Sequence, residues 1–120
     1  MGRMERVNEQ MRREISQMLQ QEFEDRRLKM VTILSVDVSK DLRHAVVYYS
    51  VLGDEHKIKE MDEILTKIKG YIRKLVGERI RMRYTPEIRF EYDRSIAYGA
   101  KIEKALAEIK ETMPFDSPNA

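Results

Sequence analysis

The sequence predicts an α+β domain in which a three-stranded sheet packs against helices, and three observations carry that prediction. Two stretches of period-two alternation, VTILSVDVS and AVVYYSVL, are separated by a short turn. A third alternating stretch follows Thr85-Pro86. Around them lie longer segments whose apolar residues return every three or four positions. A chain of 120 residues can bury one core of this kind and not two.

Met4, Val7, Met11, Ile15, Met18, Leu19 and Phe23 keep helical spacing and predict a first amphipathic helix. Leu34, Val36 and Val38 then alternate with Ser35 and Asp37, as one buried face of a strand requires. SKDLR reads as a turn, and Ala45, Val47, Tyr49 and Val51 alternate along a second strand, so the pair forms an antiparallel hairpin. Gly53 closes the hairpin, and Asp54 is placed to cap the next helix.

Ile58, Met61, Leu65, Ile68, Ile72, Leu75, Val76 and Ile80 hold one apolar phase across Gly70. That stretch reads as two helices, or as one helix kinked near Gly70, ended by Thr85-Pro86. Ile88, Phe90 and Tyr92 give a third strand. Ser95 is a cap for a last helix carrying Ile96, Ile102, Leu106 and Ile109. The expected order is α-β-β-α-α-β-α, a single domain over residues 1–111, with 112–120 a disordered tail.

Charge points to a partner. Lys67 to Arg83 holds seven cations (Lys67, Lys69, Arg73, Lys74, Arg79, Arg81, Arg83) and one anion, Glu78, a local charge of +6 in a chain whose total is +2. Glycine breaks at Gly70 and Gly77 interrupt it, and a cationic helical face with a small residue in it suits a phosphate backbone. The segment Asp54 to Glu63 is acidic, so the sign switches within one helical stretch. The competing reading, a solvated charged face, is set aside because acids scarcely balance this excess. Arg6, Arg12 and Arg13 could extend the patch; their pairing with Glu9 and Glu14 is the favoured alternative.

Enzymatic classes find little support. The chain has no cysteine, its two histidines stand apart, and no phosphate-binding glycine loop precedes a Lys-Ser or Lys-Thr pair. Asp37 and Asp41 near the turn fit a backbone role better than a catalytic pair. No catalytic residue, metal ligand or cofactor is therefore expected. No run of about 18 apolar residues could cross a membrane and no secretory leader is present, so a cytoplasmic protein is expected.

RVNEQMRREIS, VSKDLRHAVVYYSVLG and GYIRKLVGERIRMRYTPEIRFEYDRSIAYGAKIEKAL together resemble the ribosome-binding factor A family, from about Arg3 to Lys110. RYTPEIRFEYD followed by Ser95, Gly99 and Ile102 is the most specific part. The resemblance implies a KH-like fold of type II. KH domains clamp single strands with a GXXG loop between two helices, whereas this family usually has Ala-x-Gly there, as a helix-kink-helix. Here that junction reads Ile68-Lys69-Gly70.

The resemblance implies a non-enzymatic factor that binds the free or immature 30S small ribosomal subunit through 16S rRNA. It further implies late maturation and processing of the 16S rRNA 5′ end and a role in cold adaptation. RNA contacts are expected at Lys67, Lys69, Gly70, Arg73, Lys74, Arg79, Arg81 and Arg83, with Arg6 and Arg13. A monomer is expected, released by a change in the RNA or by an assembly GTPase acting in trans. A general single-stranded RNA module is the next reading, and a protein adaptor using the acidic face the third.

Overall fold

The computed structural model of the protein describes residues 2–94. The expected last helix and the tail at 112–120 lie outside these residues. Helix α1 spans Arg3–Gln21 and buries Met11, Ile15, Met18 and Leu19, the centre of the predicted apolar stripe. Met4 and Val7 lie half-buried at its N-terminal end, and Phe23, two residues beyond the helix, still packs against the core. A 3-10 turn at Arg26–Met30, which the periodicity did not disclose, drops Leu28 into the core. Asp25 caps it by accepting from Arg27 N.

Strands β1 (Thr32–Val38) and β2 (His44–Ser50) pair antiparallel, and β3 (Glu87–Tyr92) joins β2 in parallel, giving the order β1-β2-β3. A parallel pair needs a long crossover, and helix α2, Glu55–Arg79, supplies it. The expected face of β1 is corrected at its start. Ile33 pairs with Tyr49 but Ser35 with Tyr48, so Leu34 is the additional residue of a bulge. The bulge puts Ile33 in the core alongside Val36 and Val38 and leaves Leu34 half-buried. Ala45, Val47, Tyr49 and Val51 occupy the predicted buried face, as do Ile88 and Phe90 on β3.

Of the two readings for the long apolar phase, the single helix is the one observed, and Gly70 lies within it. Six buried side chains hold α2 to the sheet: Ile58, Met61, Leu65, Ile72, Leu75 and Val76. At ~1.5–3 kcal/mol each, they outweigh the ~1 kcal/mol that a mid-helix glycine costs. The C-terminal end needs a correction. Ile80 has extended dihedrals, so the helix stops well before Thr85-Pro86, and Arg81 and Arg83 follow it on a loop. Asp54 caps the other end, accepting from Lys57 N at 3.0 Å.

α1 packs on β1 and α2 on β3, and the two helices also touch. The outward positions of β3 (Glu87, Arg89, Glu91) are exposed, so the described residues form two layers with the core between them. Asn8 ties the layers at one edge, its Oδ1 accepting from Val38 N at 3.0 Å.

Candidate nucleic-acid interface

Two settings divide the cations of the predicted segment. Lys67, Lys69 and Lys74 are exposed and have no ion-pair partner among the described residues. Lys67, Gly70 and Lys74 follow one another at three- and four-residue steps and so share a row on the helix surface. A Cβ added at Gly70 would meet nothing within 4 Å. No packing demand of the described residues accounts for the glycine, and its place in the row is a flat, open stretch of backbone between two ammonium groups.

Arg73 leaves that row. Its guanidinium donates to the carbonyl oxygen of Thr85, from Nη2 at 3.0 Å and from Nε at 3.4 Å, pinning the loop that leads into β3. Arg79 faces the other way. It pairs with Glu22, and with Glu14 at 3.8 Å, joining the C-terminal end of α2 to α1. These carboxylates, Glu22 first, raise its pKa. Its charge is matched inside the fold, unlike that of its lysine neighbours.

The N-terminal arginines also separate. Arg12 donates from Nε to Glu9 at 2.9 Å and Arg13 reaches the same carboxylate at 3.4 Å, the pairing weighed from sequence. Chiefly through Arg12, the Glu9 carboxyl is held down at about 2. Arg13 nonetheless keeps most of its side chain in solvent. Arg6 is exposed, without an ion pair among the described residues.

The acids of α2 have local partners as well. Glu60 binds Arg27 at 2.6 Å, Glu55 binds Arg94 at 3.0 Å, and Asp62 accepts from the Tyr49 hydroxyl at 3.1 Å. The acidic half of the helix is thus partly neutralised while the lysines are not. Cations near a helix C-terminus also offset the macrodipole, but the effect fades within a turn, and Lys67 stands three turns back from Arg79.

The structure adds residues that sequence reasoning missed. The hairpin turn, the loop after α2 and the start of α1 meet at one end of the fold. There Arg3, Lys40, Arg81 and Arg83 surround a cleft of about 540 Å³ floored by Met4, Val7, Leu42 and Met82. Arg43 and Arg83 lie over the ring of Tyr84, at 5.0 and 5.5 Å from its centroid. The adjacency of Arg83 and Tyr84 was visible in the sequence. That a turn forty residues earlier would bring Arg43 and Lys40 beside them was not. Asp41 is used within that turn, accepting from Ser39 Oγ at 2.6 Å and Arg43 N at 3.1 Å.

Comparison with known proteins agrees with this architecture. The family model for ribosome-binding factor A matches residues 3–106. A ribosome-binding factor A of Halothermothrix orenii is 48% identical over 114 residues, 95% of this chain and 93% of its own. The crystal structure of ribosome-binding factor A from Thermus thermophilus superposes with a TM-score of 0.66 at 26% identity, covering 74% of this chain and 94% of that one. A homology model of the Thermus thermophilus factor, fitted into the cryo-EM map of its complex with 30S, gives 0.60 at 26%, covering 72% and 91%. These structures have a KH-like fold, which the helix, hairpin, helix and strand described above share. With matching sequence over nearly its whole length and matching topology, the chain belongs to the ribosome-binding factor A family.

Proposed function

We propose that this chain is a non-enzymatic assembly factor that binds the free or immature 30S small ribosomal subunit through 16S rRNA. One observation carries the reading within the family: the lysines around Gly70 are exposed, and none has a carboxylate partner among the described residues. Lys67, Lys69 and Lys74 take phosphates by charge, with Arg6, Arg81 and Arg83 as further contacts and Gly70 as the point of close approach. Arg73 adds charge while holding the Thr85 loop. Arg79 and Arg13, matched by carboxylates, contribute least.

The mechanism is differential binding. A protein that holds one RNA conformer more tightly shifts the population towards it without consuming a fuel. The conformer is one that favours late processing of the 16S rRNA 5′ end, and the effect is greatest in the cold, where misfolded RNA helices persist. Release follows a change in the RNA or the action of an assembly GTPase in trans. The protein acts as a monomer in the cytoplasm.

Sedimentation of the tagged protein with separated subunits and intact ribosomes tests this. Co-migration with small subunits alone is the expected result. Equal binding to any single-stranded RNA would instead make it a general RNA module.

A further inference from the structure

Two large aromatic rings stand exposed among the described residues, Tyr71 and Tyr84, and they differ in what surrounds them. Tyr71 packs edge-on against Phe23 at 5.7 Å, which accounts for it as surface packing. Tyr84 is 41% exposed, lies on the loop after α2, and has two guanidiniums over its ring. Its hydroxyl has no hydrogen-bond partner among the described residues.

The position is held firmly from the backbone. Glu87 N donates to Arg43 O at 2.8 Å, locking the hairpin turn to the start of β3. Arg73 grips the neighbouring carbonyl of Thr85. Leu42, beside Arg43, adopts φ 63, a left-handed conformation that costs a non-glycine residue ~1–2 kcal/mol. Its half-buried side chain packs against the core and floors the cationic cleft, so the strained turn places Lys40 and Arg43 where they stand.

We propose that Tyr84, with Arg43 against its ring, is a stacking site for one unpaired RNA base, and that Arg3, Lys40, Arg81 and Arg83 take the phosphates flanking it. Aromatic rings and guanidinium planes are the two surfaces on which proteins stack splayed bases. The rim of cations next to an apolar floor complements a nucleotide, whose base is flat and whose phosphate is anionic. Tyr84 and Arg43 themselves line a smaller hollow with Arg73, His44 and Glu87, and Arg83, which also lies over the Tyr84 ring, joins it to the cationic cleft. The Glu87 carboxylate in that hollow directs the phosphates towards the cleft, whose lining has no acid. The site rests on the RNA-binding reading and extends it from phosphate contact to base contact.

The chain contains no tryptophan, so Tyr84→Trp installs a single reporter at the site. A short oligouridylate should quench its fluorescence over the same concentrations at which anisotropy shows binding, and heparin, a polyanion without bases, should bind without quenching. Tyr84→Ala should weaken oligonucleotide binding by roughly five- to a hundredfold, while Tyr84→Phe leaves it unchanged. Binding of the oligonucleotide without quenching, and with Tyr84→Ala unaffected, overturns the stacking site and leaves the RNA reading standing. Loss of small-subunit binding by Tyr84→Ala with oligonucleotide affinity intact would make Tyr84 a protein contact and also overturn it. If the native chain binds neither oligonucleotide nor small subunit, the functional reading fails and the site with it.

Discussion

Arg73 reaches from α2 to the carbonyl oxygen of Thr85, a 3.0 Å bond across twelve residues of sequence. The same side chain therefore holds a loop and carries charge at the candidate interface. Lysine keeps the charge but loses the planar fork that spans two donors. Arg73→Lys is expected to lower stability by up to ~1 kcal/mol, the range for an exposed charged contact, with RNA affinity retained. Arg73→Met should lose both. Urea unfolding beside RNA titration separates the two roles; an unchanged urea midpoint for Arg73→Lys would mean the bond contributes nothing.

Two glycines of one helix should respond oppositely to alanine. At Gly77 an added Cβ would come to 2.9 Å from Thr85 Oγ1, whereas at Gly70 it meets open space. Gly70→Ala should stabilise the fold by about 1 kcal/mol, the helix-propensity difference. Gly77→Ala gains that propensity but forces the Thr85 loop aside, and overpacking of this kind costs ~1–3 kcal/mol. A net loss is expected, reversed when Thr85→Ala is added to it. Thermal melts of the three variants check this, and a stabilising Gly77→Ala alone would show that Thr85 yields freely.

The Tyr49 hydroxyl, buried under α2, donates to Asp62. Burial first, and then the Asp62 carboxylate, raises the phenol above its ordinary value of 10.0. Unfolded, the ring ionises near its ordinary value; folded, it stays neutral. The stability from its neutral burial is therefore fully present below about pH 10 and declines as pH rises beyond it. Tyr49→Phe should flatten that alkaline decline, at ~1 kcal/mol of neutral-pH stability for the missing hydrogen bond. Denaturation midpoints of both proteins between neutral and strongly alkaline pH give the comparison.

What sequence reasoning could reach depended on whether the cause was local. Period-two alternation placed Val47 and Tyr49 correctly because each residue's face follows from its neighbour's. The bulge at Leu34 depends on how β1 meets β2, so the alternation read for β1 was wrong by one residue at Ile33. Ile80 continued the apolar phase and is buried, yet it lies outside the helix. Phase alone does not mark a helix end. The cationic excess of Lys67 to Arg83 was legible; which cations have carboxylate partners was not, because Glu14 and Glu22 reach Arg79 only through the packing of α1 on α2. Arg43 beside Tyr84 is tertiary in the same way.

That division of the cations is itself testable, because phosphate contacts and internal ion pairs respond differently to salt. Each phosphate neutralised on a single strand contributes ~0.7 to the slope of log affinity against log salt. Lys67→Glu with Lys74→Glu should weaken small-subunit RNA binding and reduce that slope by about 1.4 or more. Both side chains are exposed on the outer row of α2, so the melting temperature should scarcely move. Arg79→Ala should do the reverse. It leaves Glu14 and Glu22 without their cation, lowering stability, while the salt slope stays that of the native chain. If Arg79→Ala reduces the slope as much as the lysine pair does, its carboxylates release it on binding, and the interface extends round to α1.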